Sequence, residues 1–459
     1  TIRAKCKALR ISAEQAEKFV EEGLSIEAAN ERLIAYLSEG GRGEPIPQPD
    51  RSAEAGAYGE IRLGRSERDK FAVAAGEALT ARCMLTASGA WREGRELEGQ
   101  RVAGVNNLSA EARPLMAYRL LDLAALSLAQ MGINTRGMAP GRIAELALAS
   151  DRPELMAANG GTAFYETGNF AQLTLNSARK VLMRGYIEAP VSFREWCRIG
   201  EPVIDFKLNS IVKFGEASDL ENMPEGEETP TDTGLSDDRE YFVVETYARK
   251  SSFTRQMILN DDLSAISRLP MKQGIGAART FNKLVYDILA KNPNMADGHA
   301  LFDATNHQGN LLSAVGTPTI AALNKLHATF RTMHGLNKDS FLNNPLRWLI
   351  VPAALEATAD QLLRSQTDPA LTNVGVINPF YGLVKPIVEA YLDHYSTTQY
   401  YGATDYNMVD TIEVRYLQGE DTPFLESWWD LDKDVRYFKV RQTGAALPVD
   451  YRGLAFVQS

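Results

Sequence analysis

Apolar positions recur at helical spacing over the first third of the chain and at mixed spacing beyond it. Ile26, Ala29, Leu33 and Leu37 fall on one face of a segment opened by Ser25 and closed by Gly40-Gly41. A shorter helix is expected before it, from the capping pair Ser12 and Gln15 to the stop at Gly23. Pro and Gly then crowd residues 41–50, which read as a linker. Further helices are predicted over 66–83, over 109–131 with Leu115, Leu120, Leu123, Leu126 and Leu128, and over 139–150 with Pro140 in the first turn. Between the first two of these, 85–107 is Gly-rich and carries no strand pattern. The first 155 residues therefore read as mostly helical.

The pattern changes near residue 160. A Gly-rich loop leads into a helix over 169–186. After it, partial alternation of β-branched and aromatic residues over 203–214 and 240–254 predicts two strands around a Pro/Gly/Thr turn at 221–234. A long two-stranded flap of this kind is marginal alone, so it calls for an outside partner. A long helical pattern follows over about 261–292, with Ile266, Leu269, Ile275, Phe281, Leu284, Val285, Ile288 and Leu289. Pro270, Gly274 and Gly276 predict that it bends or starts late. Helices at 317–336 and 354–366 then alternate with strand patterns at 347–355, 375–392, 397–405 and 410–419. The segments around 437–442 and Gly453-Leu454-Ala455 read as a closing strand pair. Helices interleaved with strands point to an α+β body.

Composition narrows the classes. At 459 residues, 44% hydrophobic and 24% charged, the chain has the make-up of two to four soluble globular domains. No run of about 18 apolar residues suggests a membrane span, and the first residues lack the apolar core of a secretory signal. Cys6, Cys83 and Cys197 are few and far apart, without metal-binding spacing. A net charge of −10 argues against a tightly gripped nucleic acid, though not against a protein that encloses one.

Charge is also unevenly placed. Arg179, Lys180, Arg184, Arg194 and Arg198 make 176–198 basic. Residues 216–240 instead hold Glu216, Asp219, Glu221, Glu225, Glu227, Glu228, Asp232, Asp237, Asp238 and Glu240 against the single Arg239. Acidic flaps lying on the basic arms of neighbouring copies would use both blocks; two solvated faces are the plain alternative. Catalytic chemistry is poorly represented. His299, Asp303 and His307 recur at four-residue intervals, which on a helix would gather metal-type ligands. Gly298, Gly309 and the surrounding Asn and Asp residues predict turns there instead, so no metal, catalytic or cofactor site is assigned. Glu356, Asp360 and Asp368 read as a solvated helix face. The GIGAAR run at 274–279 lacks the Lys-Ser/Thr pair of a phosphate loop, and no Gly-x-Ser-x-Gly elbow occurs.

Five ordered blocks carry a resemblance: NFAQLTLNSARKVLMRGYIEAPVSFREWC, the VIDFK opening of the flap, SFTRQMILNDDLSAISRLP, NPNMADGHALFDATNHQGNL and DVRYFKVRQTGAALPVDYRGL. Together they resemble the major capsid proteins of tailed bacteriophages and related prophages. The resemblance extends to the subgroup whose capsid sequence often follows a Clp-like prohead protease in one polypeptide, with CKALRISAEQAEKFVEEGLSIEAANERLIAYL similar to the connector. It covers 160–459 well, 1–40 less so, and 41–155 only vaguely.

The resemblance implies a Hong Kong 97-type capsid fold. Residues 1–155 would be a helical extension, scaffold-like or accessory, 156–200 an N-arm and 201–258 an E-loop. A P-domain with its spine helix would occupy 259–317, an A-domain 318–430, and strands returning to the P-domain 431–459. The implied function is a shell subunit of the phage head, assembled in the bacterial host cytoplasm as hexamers and pentamers. Its implied partners are the portal, the prohead protease, possible decoration proteins and enclosed double-stranded DNA bound without sequence preference. An encapsulin-like compartment shell is the nearest alternative, and a metal-dependent hydrolase using His299, Asp303 and His307 a weaker one.

Overall fold

The computed structural model describes residues 67–88, 95–97, 100–102, 108–160, 169–214, 237–261, 264–313, 317–336, 340–369, 376–430, 432–433 and 435–458. The chain divides into two compact units, Thr1–Arg65 and Ser66–Ser459. The first unit, with the two helices expected before residue 40, lies outside the described residues. No described helix is long and apolar enough to cross a membrane.

The second unit opens with helix α1 (Glu67–Ser88). A short hairpin follows where no strand was expected, β1 (Arg95–Leu97) against β2 (Gln100–Val102). The single helix expected over 109–131 is broken into α2 (Ala112–Leu115) and α3 (Leu120–Gln130). Residues after Pro114 turn instead, and α3 restarts with the Asp122 carboxylate accepting from the Arg119 N–H. Next come α4 (Pro140–Leu148) and α5 (Pro153–Ala158), each with Pro in its first turn. Helix α6 (Phe170–Ile187) is buried along most of its length.

These helices are not an appendage. Leu79 and Cys83 of α1, Leu123 and Leu128 of α3, and Ile143 and Leu146 of α4 share one core with Leu175 and Val181 of α6. Leu425, Trp429, Phe438 and Val440 from the far end of the chain complete that core. Arg436 ties the two ends polarly. Its buried guanidinium donates to the Leu148 carbonyl at 2.7 Å and to both Asp151 oxygens at 3.1 and 2.8 Å. The described part of the expected 1–155 extension is thus integral to the body, because its apolar faces find their partners there.

After α6, β3 (Arg198–Ile199) leads to the flap strands β4 (Asn209–Phe214) and β5 (Asp237–Phe242), which pair antiparallel. The strand expected over 240–254 changes partner after Phe242: β6 (Glu245–Thr254) leaves the flap and pairs with β13 (Val435–Pro448). Helix α7 (Arg255–Leu259) then precedes α8 (Ser264–Lys291), the long helix.

Helix α8 is continuous although Pro270 lies within it and removes the N–H that would meet the Ile266 carbonyl. Of its two glycines, Gly274 serves packing, while a Cβ on Gly276 would meet nothing within 4 Å. A Cβ on Gly274 would sit 2.1 Å from the Leu182 carbonyl oxygen, and one on Gly185 would sit 2.2 Å from that of Met271. Helices α6 and α8 therefore touch backbone to backbone, an approach only glycine permits.

The remaining strands form two five-stranded sheets among the described residues. One has the order β7 (Leu311–Ser313), β14 (Leu454–Gln458), β10 (Tyr400–Ala403), β8 (Trp348–Val351), β9 (Lys385–Val388). Helices α9 (Ile320–Thr332) and α10 (Glu356–Arg364) pack here, burying Leu323, Leu326, Phe330 and Leu362 against Leu349, Val351 and Val457. The Thr319 hydroxyl caps α9 by accepting from the Ala322 N–H at 3.2 Å. The other sheet joins β12 (Phe424–Asp430), β13, β11 (Ile412–Tyr416) and β3, with β6 on the other edge of β13.

The expected closing strand pair is therefore not formed. Strands β13 and β14 lie in different sheets, and each alternates apolar residues into a different core. The sheets also cut across the expected boundaries at 317, 430 and 431: β11 and β12 join the sheet of β13, while β7 and β14 join that of β8–β10.

Candidate functional site: an assembly surface

The flap is anchored at its base and bare on its outside. Register pairs Ile211 with Glu240 and Lys213 with Asp238. Strand alternation puts Ile211, Lys213, Glu240 and Phe242 on the inner face, where Ile211 and Phe242 pack with Val203, Val244, Ala445, Leu447 and Val449. Lys213 Nζ and Glu240 Oε1 form an inner-face pair at 2.7 Å, and Glu240 Oε2 accepts from the Ala296 N–H at 3.0 Å. That carboxylate pins the flap root to the loop after α8. On the outside, Ile204 is 83% exposed, with Phe206, Leu208, Tyr241 and Val243 also largely bare. Large apolar side chains left exposed beside a hairpin root favour a surface that a partner covers.

The two predicted charge blocks meet different fates. Glu216, Asp219, Glu221, Glu225, Glu227 and Glu228 lie outside the described residues, as does the side chain of Asp237. Asp238 stands 3.5 Å from Lys213. The basic block is not a free arm. Arg179 donates from Nε and Nη2 to the Leu425 carbonyl at 3.1 and 3.0 Å and stacks over Phe424. Arg184 is buried and donates to Glu188 and the Met84 carbonyl. Arg194 lies 4.8 Å over the Tyr186 ring, and burial lowers the Lys180 pKa despite Glu77 nearby. Arg198 is exposed but pairs with Asp410 at 2.8 Å. Because α6 buries most of its circumference, its cations are drawn into contacts within the chain.

A basic surface does exist elsewhere. A groove of about 690 Å³ between α8 and strands β6 and β13 is lined by Arg249, Lys272, Arg279 and Lys283, and by no Asp or Glu. Lys272, Arg279 and Lys283 recur at seven and four residues along one helix, a face the sequence could have disclosed. Arg249 comes from a strand that only the fold brings beside them.

The His299–His307 patch is a structural knot. His307 is buried, with Nε2 2.8 Å from Asp297 Oδ2, Nδ1 3.1 Å from the Leu301 carbonyl and its ring stacked 4.1 Å from Tyr451. Asp303 accepts from the N–H groups of Thr305 and Asn306, and these bonds bring its pKa down to about 2. Its carboxylate closes a turn, so the three spaced residues share no helix face. Among the described residues no group of three or more His, Cys, Asp or Glu could hold a metal. Burial pushes the Cys83 thiol up to about 12 and raises that of Cys197 well above its ordinary value.

With this geometry in view, comparison with known proteins is specific in one respect. Residues 239–457 match the family described as phage capsid protein. That match takes in β6, α8 and, β3 excepted, the strands of both large sheets. No curated protein matches the chain. Solved structures similar to it include one titled Microbacterium phage Oxtober96, at 11% identity and TM-score 0.40, covering 59% of this chain and 92% of that one. Another is a virus-like particle from Pyrococcus furiosus, at 13% identity and TM-score 0.38, covering 62% and 99%. A third is the holo-SrpI encapsulin complex from Synechococcus elongatus, at 10% identity and TM-score 0.38, covering 58% and 86%.

Proposed function

We propose that this chain is a structural shell subunit, a phage major capsid protein of the Hong Kong 97 type that self-assembles into the head enclosing double-stranded DNA. The observation that carries the reading is the match of residues 239–457 to the phage capsid family. The bare apolar strip on the flap root supports it, because Ile204, Phe206, Leu208, Tyr241 and Val243 need a neighbour to cover them.

In this reading the flap is the E-loop, α8 the spine helix, and the sheet of β8, β9 and β10 the heart of the A-domain. Contact rather than chemistry is the function. Copies gather as hexamers and pentamers, flaps cover neighbouring copies, and the acidic chain leaves enclosed DNA loosely held. Portal, prohead protease and any decoration protein would meet this shell in the host cytoplasm. The protease is proposed as a fused neighbour on the strength of the connector-like segment at 6–37.

The test is negative-stain imaging of the purified full chain together with nuclease digestion of its particles. Closed particles that protect double-stranded DNA support the reading. Closed particles filled with protein cargo would favour a compartment shell, and a small monomer with metal-dependent turnover would overturn the shell reading altogether.

A further inference from the structure

The groove beside α8 is built from one helix face and one strand face. Lys272, Gly276, Arg279 and Lys283 follow each other at four, three and four residues, which sets them in a row along α8. A Cβ on Gly276 would meet nothing within 4 Å, so the row is open between Lys272 and Arg279. Opposite, Tyr247 and Arg249 stand two residues apart on one face of β6. The Tyr247 ring is half-buried: it meets Phe281 edge-on at 5.9 Å, and its hydroxyl donates to Glu245 at 3.0 Å. All four cations are exposed. Lys283 lies over the Tyr391 ring at 5.3 Å, while among the described residues Arg249, Lys272 and Arg279 have no ion pair. The chain carries 59 acidic against 49 basic residues, yet no described Asp or Glu lines this groove.

A cationic rim calls for an anion, and the spread of the charges says what kind. Lys272 and Lys283 are separated by about 16 Å along the helix. A single phosphate meets only part of that row, whereas a polynucleotide strand at duplex spacing carries roughly five phosphates over the same length. The volume, about 690 Å³, is that of a cleft for small groups and has no room for a duplex. An acidic peptide matches the charge but gives Tyr247 nothing to stack on. A cationic groove tracking a backbone, with an aromatic ring inside it, is the arrangement that holds unpaired strands. We infer that the groove between α8 and β6 binds single-stranded nucleic acid, its phosphates on Arg249, Lys272, Arg279 and Lys283 and a base against Tyr247. The inference goes beyond the shell reading and does not depend on it.

The test is fluorescence anisotropy of the purified full chain with labelled oligothymidine, oligouridine and an oligothymidine–oligoadenosine duplex, read over a salt series. Single strands are expected to bind more tightly than the duplex, and the tighter of the DNA and RNA arms identifies the source. Lys272→Ala with Arg279→Ala should lower the slope of log affinity against log salt by about 1.4, at roughly 0.7 per lost phosphate contact. Both replace exposed side chains, so circular dichroism should be unchanged. Tyr247→Leu should weaken single-strand binding roughly tenfold, and Tyr247→Phe should retain it. Arg136→Ala with Arg364→Ala, exposed and outside the groove, should leave affinity and slope as they were. Absence of binding, equal binding of the duplex, equal displacement by polyglutamate, or an equal loss in the Arg136 and Arg364 pair overturns the inference. Each of these results leaves the shell reading standing.

Discussion

At the scale of single residues, the fold depends on a few positions where no neighbouring chemistry can substitute. Gly274 and Gly185 let α6 and α8 meet at backbone distance, and any Cβ there collides with a carbonyl. Gly274→Ala is expected to destabilise the chain by about 1–3 kcal/mol or more through forced separation of the helices, measured as a lowered denaturation midpoint. Arg436 is a different case. Removing its guanidinium strips Asp151 and the Leu148 carbonyl of their donor, so Arg436→Ala should cost about 3–5 kcal/mol by the same measurement. Asp303 sets a pH dependence. Its pKa is depressed in the folded chain from 3.8 to about 2 by the N–H groups of Asn306 and Thr305. Its contribution is therefore present above about 3.8 and is lost as pH falls towards 2. Amide exchange across 301–310 should accelerate over that window, and Asp303→Asn should already exchange faster at neutral pH. Unchanged exchange in that variant would remove the turn-closing role.

At the scale of elements, helices with a single apolar stripe were readable from spacing. Helices α1, α4, α6 and α9 lie close to where their periodicity and first-turn residues put them. The interrupted segment at 109–131 was not, because Leu spacing alone does not register the turn after Pro114 and the restart at Leu120. Nor was the switch of strand partner after Phe242, which depends on β13, nearly two hundred residues onward. In α8 the breakers were visible and their meaning was not: Gly274 reads as a bend in isolation and as a packing contact once α6 lies across it. In the basic block of 176–198, charge counting did not show that Arg184 is buried or that Arg179 holds the Leu425 carbonyl. The flap root is where an element-scale prediction is sharpest. Replacing Phe206 and Leu208 with Asp should leave the fold intact, since both side chains are exposed, yet abolish particle assembly. Circular dichroism with electron microscopy reads both halves. A variant that still assembles normally would remove the flap from the interface.

At the scale of the whole molecule, two features no local pattern announces shape the account. The helices from residue 67 onward share a core with the last strands, so truncation at 155 would unfold the body rather than free a shell domain. The two large sheets each recruit one of the closing strands, so chain order does not partition the second unit into consecutive domains. The flap and the ordered blocks of the resemblance were legible in the sequence. What stayed hidden was the cationic groove: Arg249 of β6 meets Lys272, Arg279 and Lys283 of α8 only after folding. The most direct measurement is the mass of the purified full chain by sedimentation velocity. The account predicts a sharp boundary from closed assemblies of many 50.6 kDa subunits. A single species sedimenting at the mass of one chain, under conditions where the protein is folded, would contradict it.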